Sequence, residues 1–371
     1  MRVLVINWQD WTHPFAGGAE FHLREVFGRI ARLGHRVDLL CTGHPGAPSH
    51  EQLEGINILR CGQRYRLFNY VVPGIYRRVL RHNDYDVIVD DLNKIPFLSP
   101  LFADKPVVAL VHHLLGRTAY RETNPAFATY VWLGEQPISR AYRHSAFIAV
   151  SDSTADELVR RGVRHEQITV IPNGIPDAPF DELIGKEKSS TPLFVYLGRL
   201  KRYKAIELIL EAFALVVLDH PDARLVIAGD GDHRSQLERR AAATGSDRIE
   251  FVGWVEEDHK WELLRSAWAL CYTSPNEGWG LSSLEAQRVG TIPIVSDAPG
   301  LRDTIVAGET GWAVPHGDVQ RLAAAMTRVI VEPAERQRLE LAAIERAKHY
   351  TWDAAATQTM AVLQKASGKS A

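Results

Sequence analysis

The sequence predicts an α/β protein made of two doubly wound domains, each a parallel sheet with helices on both faces. Three observations carry this expectation. Short continuous runs of Val, Ile and Leu alternate with amphipathic helical stretches, the pattern of strands buried on both faces. The alternation breaks once and then restarts. The length, 371 residues, exceeds what one ordinary hydrophobic core holds.

The elements follow in order. RVLVIN (2–7) reads as a buried strand, and 18–33 as a helix stopped by Gly34. HRVDLLC (35–41), DVIVD (86–90), VVALVH (107–112) and AFIAVS (146–151) are further strands. STADELVRRG (153–162) opens on a capping signal and ends at glycine. Residues 173–191 are rich in Pro, Gly, Ser and charge without periodicity, and read as a linker between domains 1–172 and 192–350. The second domain repeats the pattern: strands at 192–198, 224–231, 248–254, 267–274 and 291–297, with a helix at 204–217. A last helix lies within 351–371 and is expected to return to the N-terminal domain. Ligands of such sheets lie beyond the carboxyl ends of the strands, so two Rossmann-like sheets should share a cleft there.

Composition narrows the function. A net charge of −2 gives the whole chain no strong draw toward nucleic acid. Residues 1–172 are mildly basic, with 20 Lys and Arg against 17 Asp and Glu. Three separated cysteines, Cys41, Cys61 and Cys271, form neither a disulfide framework nor a zinc motif, and fit a reducing compartment. MRVLVINW is one short apolar run rather than a signal peptide, and no stretch has the length of a spanning helix. A soluble, cytoplasmic protein is expected, with the inner face of the membrane open as a peripheral site.

Three motifs carry chemistry. In PFAGGAE (14–20), Gly17 and Gly18 open a helix after a strand, exposing backbone N–H groups at a positive helix end that suits a phosphate; a tight turn is the alternative. In YLGRLKRYKAIE (196–207), Arg199 follows a strand and a glycine, and Lys204 stands at a helix start; together they can neutralise a diphosphate. In SPNEGWGLSSLEAQRVG (274–290), a glycine turn separates Glu277 from Glu285, which lies on the following helix. Free N–H groups between two carboxylate acceptors suit a sugar nucleotide, one acceptor for the sugar and one for the ribose. Either glutamate alone also reads as a helix-surface charge.

The glutamate spacing resembles the signature of glycosyltransferase family four, retaining enzymes of the GT-B fold. The likeness spans nearly the whole chain, through GGAE, AVSDSTADEL, IPNGI, GRLKRYK, AGDGDHRSQLE, FVGWV and GETGWAVPHGD in order. It implies a hexosyl transfer from a UDP- or GDP-linked sugar to an acceptor hydroxyl, with the anomeric configuration retained and no metal required. Gly17 and Gly18 match the loop that approaches the donor diphosphate, and Arg199 and Lys204 the diphosphate-binding pair. Glu277 matches the glutamate near the donor sugar and Glu285 the one on the ribose. The N–H groups around Trp279, Gly280 and Leu281 match the phosphate-cradling turn, and Gly253 and Trp254 the base contact. His112 matches the active-site histidine, with His113 as the alternative. Two positions depart from the family: Ala205 stands where glycine is usual, and Asp303 where glutamate is common, which puts a role for Asp303 in doubt.

On the family's view the leaving phosphate oxygen takes the acceptor's proton and no protein nucleophile is needed. The adjacent Asp90 and Asp91 lack metal-chelating spacing. The acceptor is expected on the N-terminal domain: a saccharide, a lipid-linked saccharide or a small metabolite. Segments 91–100 and 117–143 are candidate linings. Residues 60–83 hold six arginines and no acid, and read either as a contact for anionic lipid or as a solvated helix face with its aromatics in the core. Two rivals stand beside the transferase: a sugar-nucleotide epimerase of the same fold, and a silent subunit that binds sugar nucleotides.

Overall fold

A computed structural model describes residues 1–63, 68–93, 95–122, 124–245 and 247–369. The chain divides into two compact units, residues 1–174 with 351–371, and residues 175–350.

Among the described residues, the first unit is built on eight strands: β1 (Arg2–Ile6), β2 (Arg36–Gly43), β3 (His50–Leu53), β4 (Ile56–Gln63), β5 (Val87–Asp91), β6 (Val107–Val111), β7 (Ala146–Ala149) and β8 (Ile168–Val170). Their order is β3-β4-β2-β1-β5-β6-β7-β8, parallel except for the β3–β4 pair. The strand order reverses direction between β1 and β5, which lie side by side. That is the switch point, where an open parallel sheet leaves a crevice. The chain leaves β1 into Asn7–Asp10, β5 into Leu92–Asn93 and β6 into His112, so these residues collect at that edge. Central strands are largely apolar because helices cover both faces; Val3, Leu4, Val5 and Ile6 are wholly buried, while β5 ends in the buried carboxyls of Asp90 and Asp91.

Helix Gly18–Arg32 begins where Gly17 N–H donates to Glu20 Oε2 at 2.7 Å, one half of a capping box. The helix expected at 153–162 starts earlier, at Asp152, because Ser151 rather than Ser153 caps it: its Oγ accepts from Thr154 N–H at 3.1 Å. Helix Trp352–Ser367 packs in this unit, with Trp352 buried against Phe21 and Asp353 paired to Arg29 at 2.6 Å.

Residues 60–83 divide between both sequence readings. Arg60 lies on β4 with its guanidinium buried, donating to Asp10 at 2.7 Å and Glu51 at 2.7 Å, so it is no surface cation. Phe68, Val72, Tyr76 and Leu80 enter the core, while Tyr70, Val71, Arg77, Arg78 and Val79 are exposed. Residues 64–67 lie outside the described residues.

Among the described residues, the second unit has six parallel strands: β9 (Leu193–Leu197), β10 (Arg224–Ala228), β11 (Ile249–Gly253), β12 (Ala269–Tyr272), β13 (Ile292–Ser296) and β14 (Trp312–Val314), in the order β11-β10-β9-β12-β13-β14. Here the switch point lies between β9 and β12.

Two sequence expectations need correcting in this unit. The segment 173–191 is not a free linker. Ile175 and Leu183 are buried in the second core, Phe180–Gly185 is helical, and the Lys188 ammonium donates to the Ala267 carbonyl at 2.7 Å and to Thr291 Oγ1 at 3.2 Å. A few widely spaced apolar residues and one lysine suffice to bind a stretch that has no periodicity. The helix expected from residue 204 begins at Glu207; Arg202–Lys204 is a 3-10 turn and Ala205 is left-handed, at φ +51°. Lys204 therefore stands before the helix, on the turn.

Candidate active site

The turn that carries Lys204 is gripped from below. Thr273 Oγ1, just past β12, donates to the Lys204 carbonyl at 3.2 Å and the Ala205 carbonyl at 2.9 Å. The lysine side chain is buried; its ammonium donates to Tyr272 Oη at 2.8 Å and to Glu277 Oε1. Burial opposes the charge, but Glu277 and the neighbouring tyrosines outweigh it, and the Lys204 pKa lies well above the ordinary lysine range. Arg199, after β9, is exposed and takes no ion-pair partner among the described residues. One cation is thus fixed and one is free at the same switch point.

Glu277 is placed by its loop. Its N–H donates to the Pro299 carbonyl at 3.0 Å. Gly300 sits opposite at φ +77°, and a Cβ there would come within 2.0 Å of the Glu277 carbonyl oxygen, so only glycine lets the two loops meet. Gly280 precedes helix Leu281–Arg288, and a Cβ on it would collide with Leu301 at 2.8 Å. The cradle is narrower than the sequence suggests. Leu281 N–H is spent on the Trp279 carbonyl at 2.9 Å. Among the described residues, the N–H groups of Trp279 and Gly280 have no acceptor.

Glu285 lies one turn into that helix and is buried. Its Oε1 accepts from the Lys260 ammonium at 2.9 Å. Lys260 also donates to Glu257 at 2.5 Å and lies 4.4 Å from the centre of the Trp261 ring. Gly253 closes β11 at φ +74°, and Trp254 beside it is 70% exposed. Lys204 with Glu277 and Lys260 with Glu285 form two separate charge pairs.

The first unit holds a different group. Gly17 and Gly18 stand at the helix start, and a Cβ on Gly18 would meet nothing within 4 Å, so the space beside it is open. Glu20, two residues on, accepts from Gly17 N–H and from Asn93 Nδ2 at 3.2 Å. His112 lies just past β6, 6% exposed, with its Nε2 3.4 Å from Asp91 Oδ1. His22 meets it edge-on, ring centres 4.9 Å apart, and bonds Asn173 through Nδ1 at 2.7 Å. Burial pushes the His112 pKa down to about 4 despite nearby Glu20; burial and His112 push His22 down to about 3. Both imidazoles are neutral at ordinary pH.

The sequence reading missed Tyr272, Thr273, Lys260, His22 and Asp91 as neighbours of the named residues. Tyr272 had one available signal, a tyrosine ending the apolar run ALCYTS before the glutamate motif. Among the described residues, no three His, Cys, Asp or Glu side chains gather as a metal site, and no helix is long and apolar enough to cross a membrane.

Comparison with known proteins agrees in extent with these two sheets. Residues 180–346 match the family model described as glycosyl transferases group 1, and residues 16–178 the one described as glycosyltransferase family 4. A protein named glycogen synthase from Mycobacterium tuberculosis is 27% identical, over 98% of this chain and 94% of its own. A phosphatidyl-myo-inositol mannosyltransferase from Mycolicibacterium smegmatis is 27% identical over 96% and 92%. Among solved structures, sucrose-phosphate synthase from Thermosynechococcus elongatus superposes with a TM-score of 0.79 at 22% identity, covering 98% of each chain. Anabaena HepE, solved with UDP-glucose, gives a TM-score of 0.75 at 18% identity over 98% of this chain and 100% of its own. These structural likenesses establish the GT-B fold.

Proposed function

Because the chain belongs to the group 1, family 4 glycosyltransferases, enzymes that move sugars from nucleotide-sugar donors, we propose that it transfers a hexosyl group to an acceptor hydroxyl with the anomeric configuration retained. The donor is a UDP- or GDP-linked hexose. The observation that carries this reading is the grouping at the β9/β12 switch point: a fixed Lys204, an exposed Arg199 and the open N–H groups of Trp279 and Gly280.

A nucleoside diphosphate is a good leaving group only where its growing charge is met by groups already in place. Lys204 is in place before substrate arrives, Arg199 is free to close on the diphosphate, and the turn N–H groups add dipoles without a proton to lose. Glu277 accepts from the hexose hydroxyls and Glu285 from the ribose, while Gly253 and Trp254 meet the base. In the first unit, Gly17 and Gly18 leave room for the diphosphate, and neutral His112 serves the transferred sugar. The departing phosphate oxygen takes the acceptor's proton, so the chain needs no nucleophile of its own and no metal. The first unit recognises the acceptor. Its exposed Tyr70, Val71, Arg77, Arg78 and Val79 suit an acceptor held at an anionic membrane surface in the cytoplasm.

The test is a thermal-shift and hydrolysis screen against UDP- and GDP-hexoses. One donor should raise the melting temperature and be slowly hydrolysed to the nucleoside diphosphate. An epimer formed from the donor alone would replace the transferase reading with the isomerase. Tight donor binding without turnover, whatever acceptor is offered, would replace it with the silent subunit.

A further inference from the structure

Lysine is a flexible choice for a fixed cation: its four-carbon stem carries rotamer entropy that must be lost to hold one geometry. Something has to bear that cost at Lys204, and the sheet beneath it holds two tyrosines where phenylalanine would fill the same space. We propose that Tyr272 and Tyr196 are positioning residues for the diphosphate grip, Tyr272 aiming the Lys204 ammonium and Tyr196 fixing the backbone from which Arg199 projects. The inference rests on the donor reading above and adds the parts that make its two cations precise.

Both rings are buried, Tyr196 completely, and stack edge-on with centres 5.8 Å apart on the neighbouring strands β9 and β12. A buried phenol costs free energy unless its oxygen is bonded. Neither hydroxyl is spent on the core. Tyr272 Oη accepts from Lys204 Nζ at 2.8 Å, and its ring centre lies 5.1 Å from that nitrogen, with the Tyr203 ring at 5.0 Å on the same ammonium. Tyr196 Oη donates to the Arg199 carbonyl at 3.0 Å. Gly198 lies between, and a Cβ there would sit 3.1 Å from that hydroxyl, so the glycine clears the path of the bond.

Proton counting sharpens the inference. An ammonium has three donors. Tyr272 takes one and Glu277 a second, which leaves one for a ligand oxygen, directed by the other two. Replacing Tyr272 by phenylalanine keeps the ring and the packing but frees the ammonium to swing about Glu277. The loss should appear in diphosphate binding rather than in folding.

The experiment is a double-mutant cycle read by calorimetry on the full chain, with UDP and GDP as probes. For whichever nucleoside diphosphate the natural protein binds, Tyr272→Phe should weaken affinity about tenfold and Tyr196→Phe about threefold, the range of one charge-assisted and one neutral hydrogen bond. Melting temperatures should stay within about 2 °C. In a Lys204→Met background, Tyr272→Phe should change affinity less than about twofold, because a residue acting only through Lys204 has nothing left to act on. If Lys204→Met does not fold, Lys204→Gln takes its place in the cycle. Affinity unchanged in Tyr272→Phe, or an equal loss with and without Lys204, would overturn the proposal. A natural protein that binds neither UDP nor GDP would instead remove the donor reading, and this inference with it.

Discussion

The surroundings of Lys204 in the second unit and of His112 in the first handle buried polarity differently, although the first unit also holds a buried ion pair, Arg60 with Asp10. In the second unit the groups are ionised and paired: Lys204 with Glu277, Lys260 with Glu285. In the first, two buried histidines are held neutral, and their Nε2 atoms take no hydrogen bond among the described residues; the Asp91 carboxylate, 3.4 Å from His112, is beyond good bonding distance. A preset field suits a ligand that carries charge and develops more of it. Uncharged ring nitrogens suit hydroxyls, which need a partner but no counter-charge. On the proposed reading, the preset charge of Lys204 meets the diphosphate, and the neutral imidazole of His112 meets the transferred sugar.

The comparison can be broken at four points. Lys204→Ala removes the fixed cation and leaves Glu277 without its partner, so kcat/KM should fall about a thousandfold in a donor-turnover assay. On the proposed reading, His112→Ala removes only a neutral contact to the sugar. Turnover should fall about a hundredfold with little change in donor KM, and circular dichroism should show an intact fold; full activity would shift the role to His113. Glu285→Ala should weaken nucleoside diphosphate binding about tenfold by calorimetry, and Lys260→Met somewhat less, since it disturbs the acceptor without removing it.

The smallest effect is on stability. A histidine whose folded pKa lies below its unfolded value binds fewer protons folded than unfolded, so stability rises with pH across the window between them. With His112 near 4 and His22 near 3 against an ordinary value of 6.5, stability should hold above pH 6.5 and fall as the pH drops from there toward 4. Urea unfolding across that range should show the slope, and His22→Gln should reduce it, with His112 supplying the remainder. A slope unchanged by the substitution would mean the His22 ring is not buried neutral.

Much of the fold was legible because the central strands are continuous apolar runs, and the two sheets could be counted from them. The edges were not. HEQL in β3 offers one apolar residue, and β8 and β14 span three residues each, too few for periodicity to register. The site divides the same way. Arg199, Lys204, Glu277 and Glu285 stand in local motifs, but Tyr272 meets Lys204 across 68 positions and Lys260 meets Glu285 across 25. No local pattern encodes such pairs; the sheet brings them together. Likewise Arg60 reads as one of a run of surface cations, and only the neighbouring strand and loop show that Asp10 and Glu51 have claimed it.

The boundary of the second unit carries a practical consequence. It enters at Ile175 and leaves at Tyr350, and the Ile175 N–H donates to the Tyr350 carbonyl at 3.0 Å. A module whose first and last residues touch can be lifted out of its host without stretching either. The second unit is therefore a cassette: spliced at 174/175 and 350/351, rather than at residue 192, it can be exchanged between relatives, and on the proposed reading the exchange combines one protein's nucleotide preference with another's acceptor.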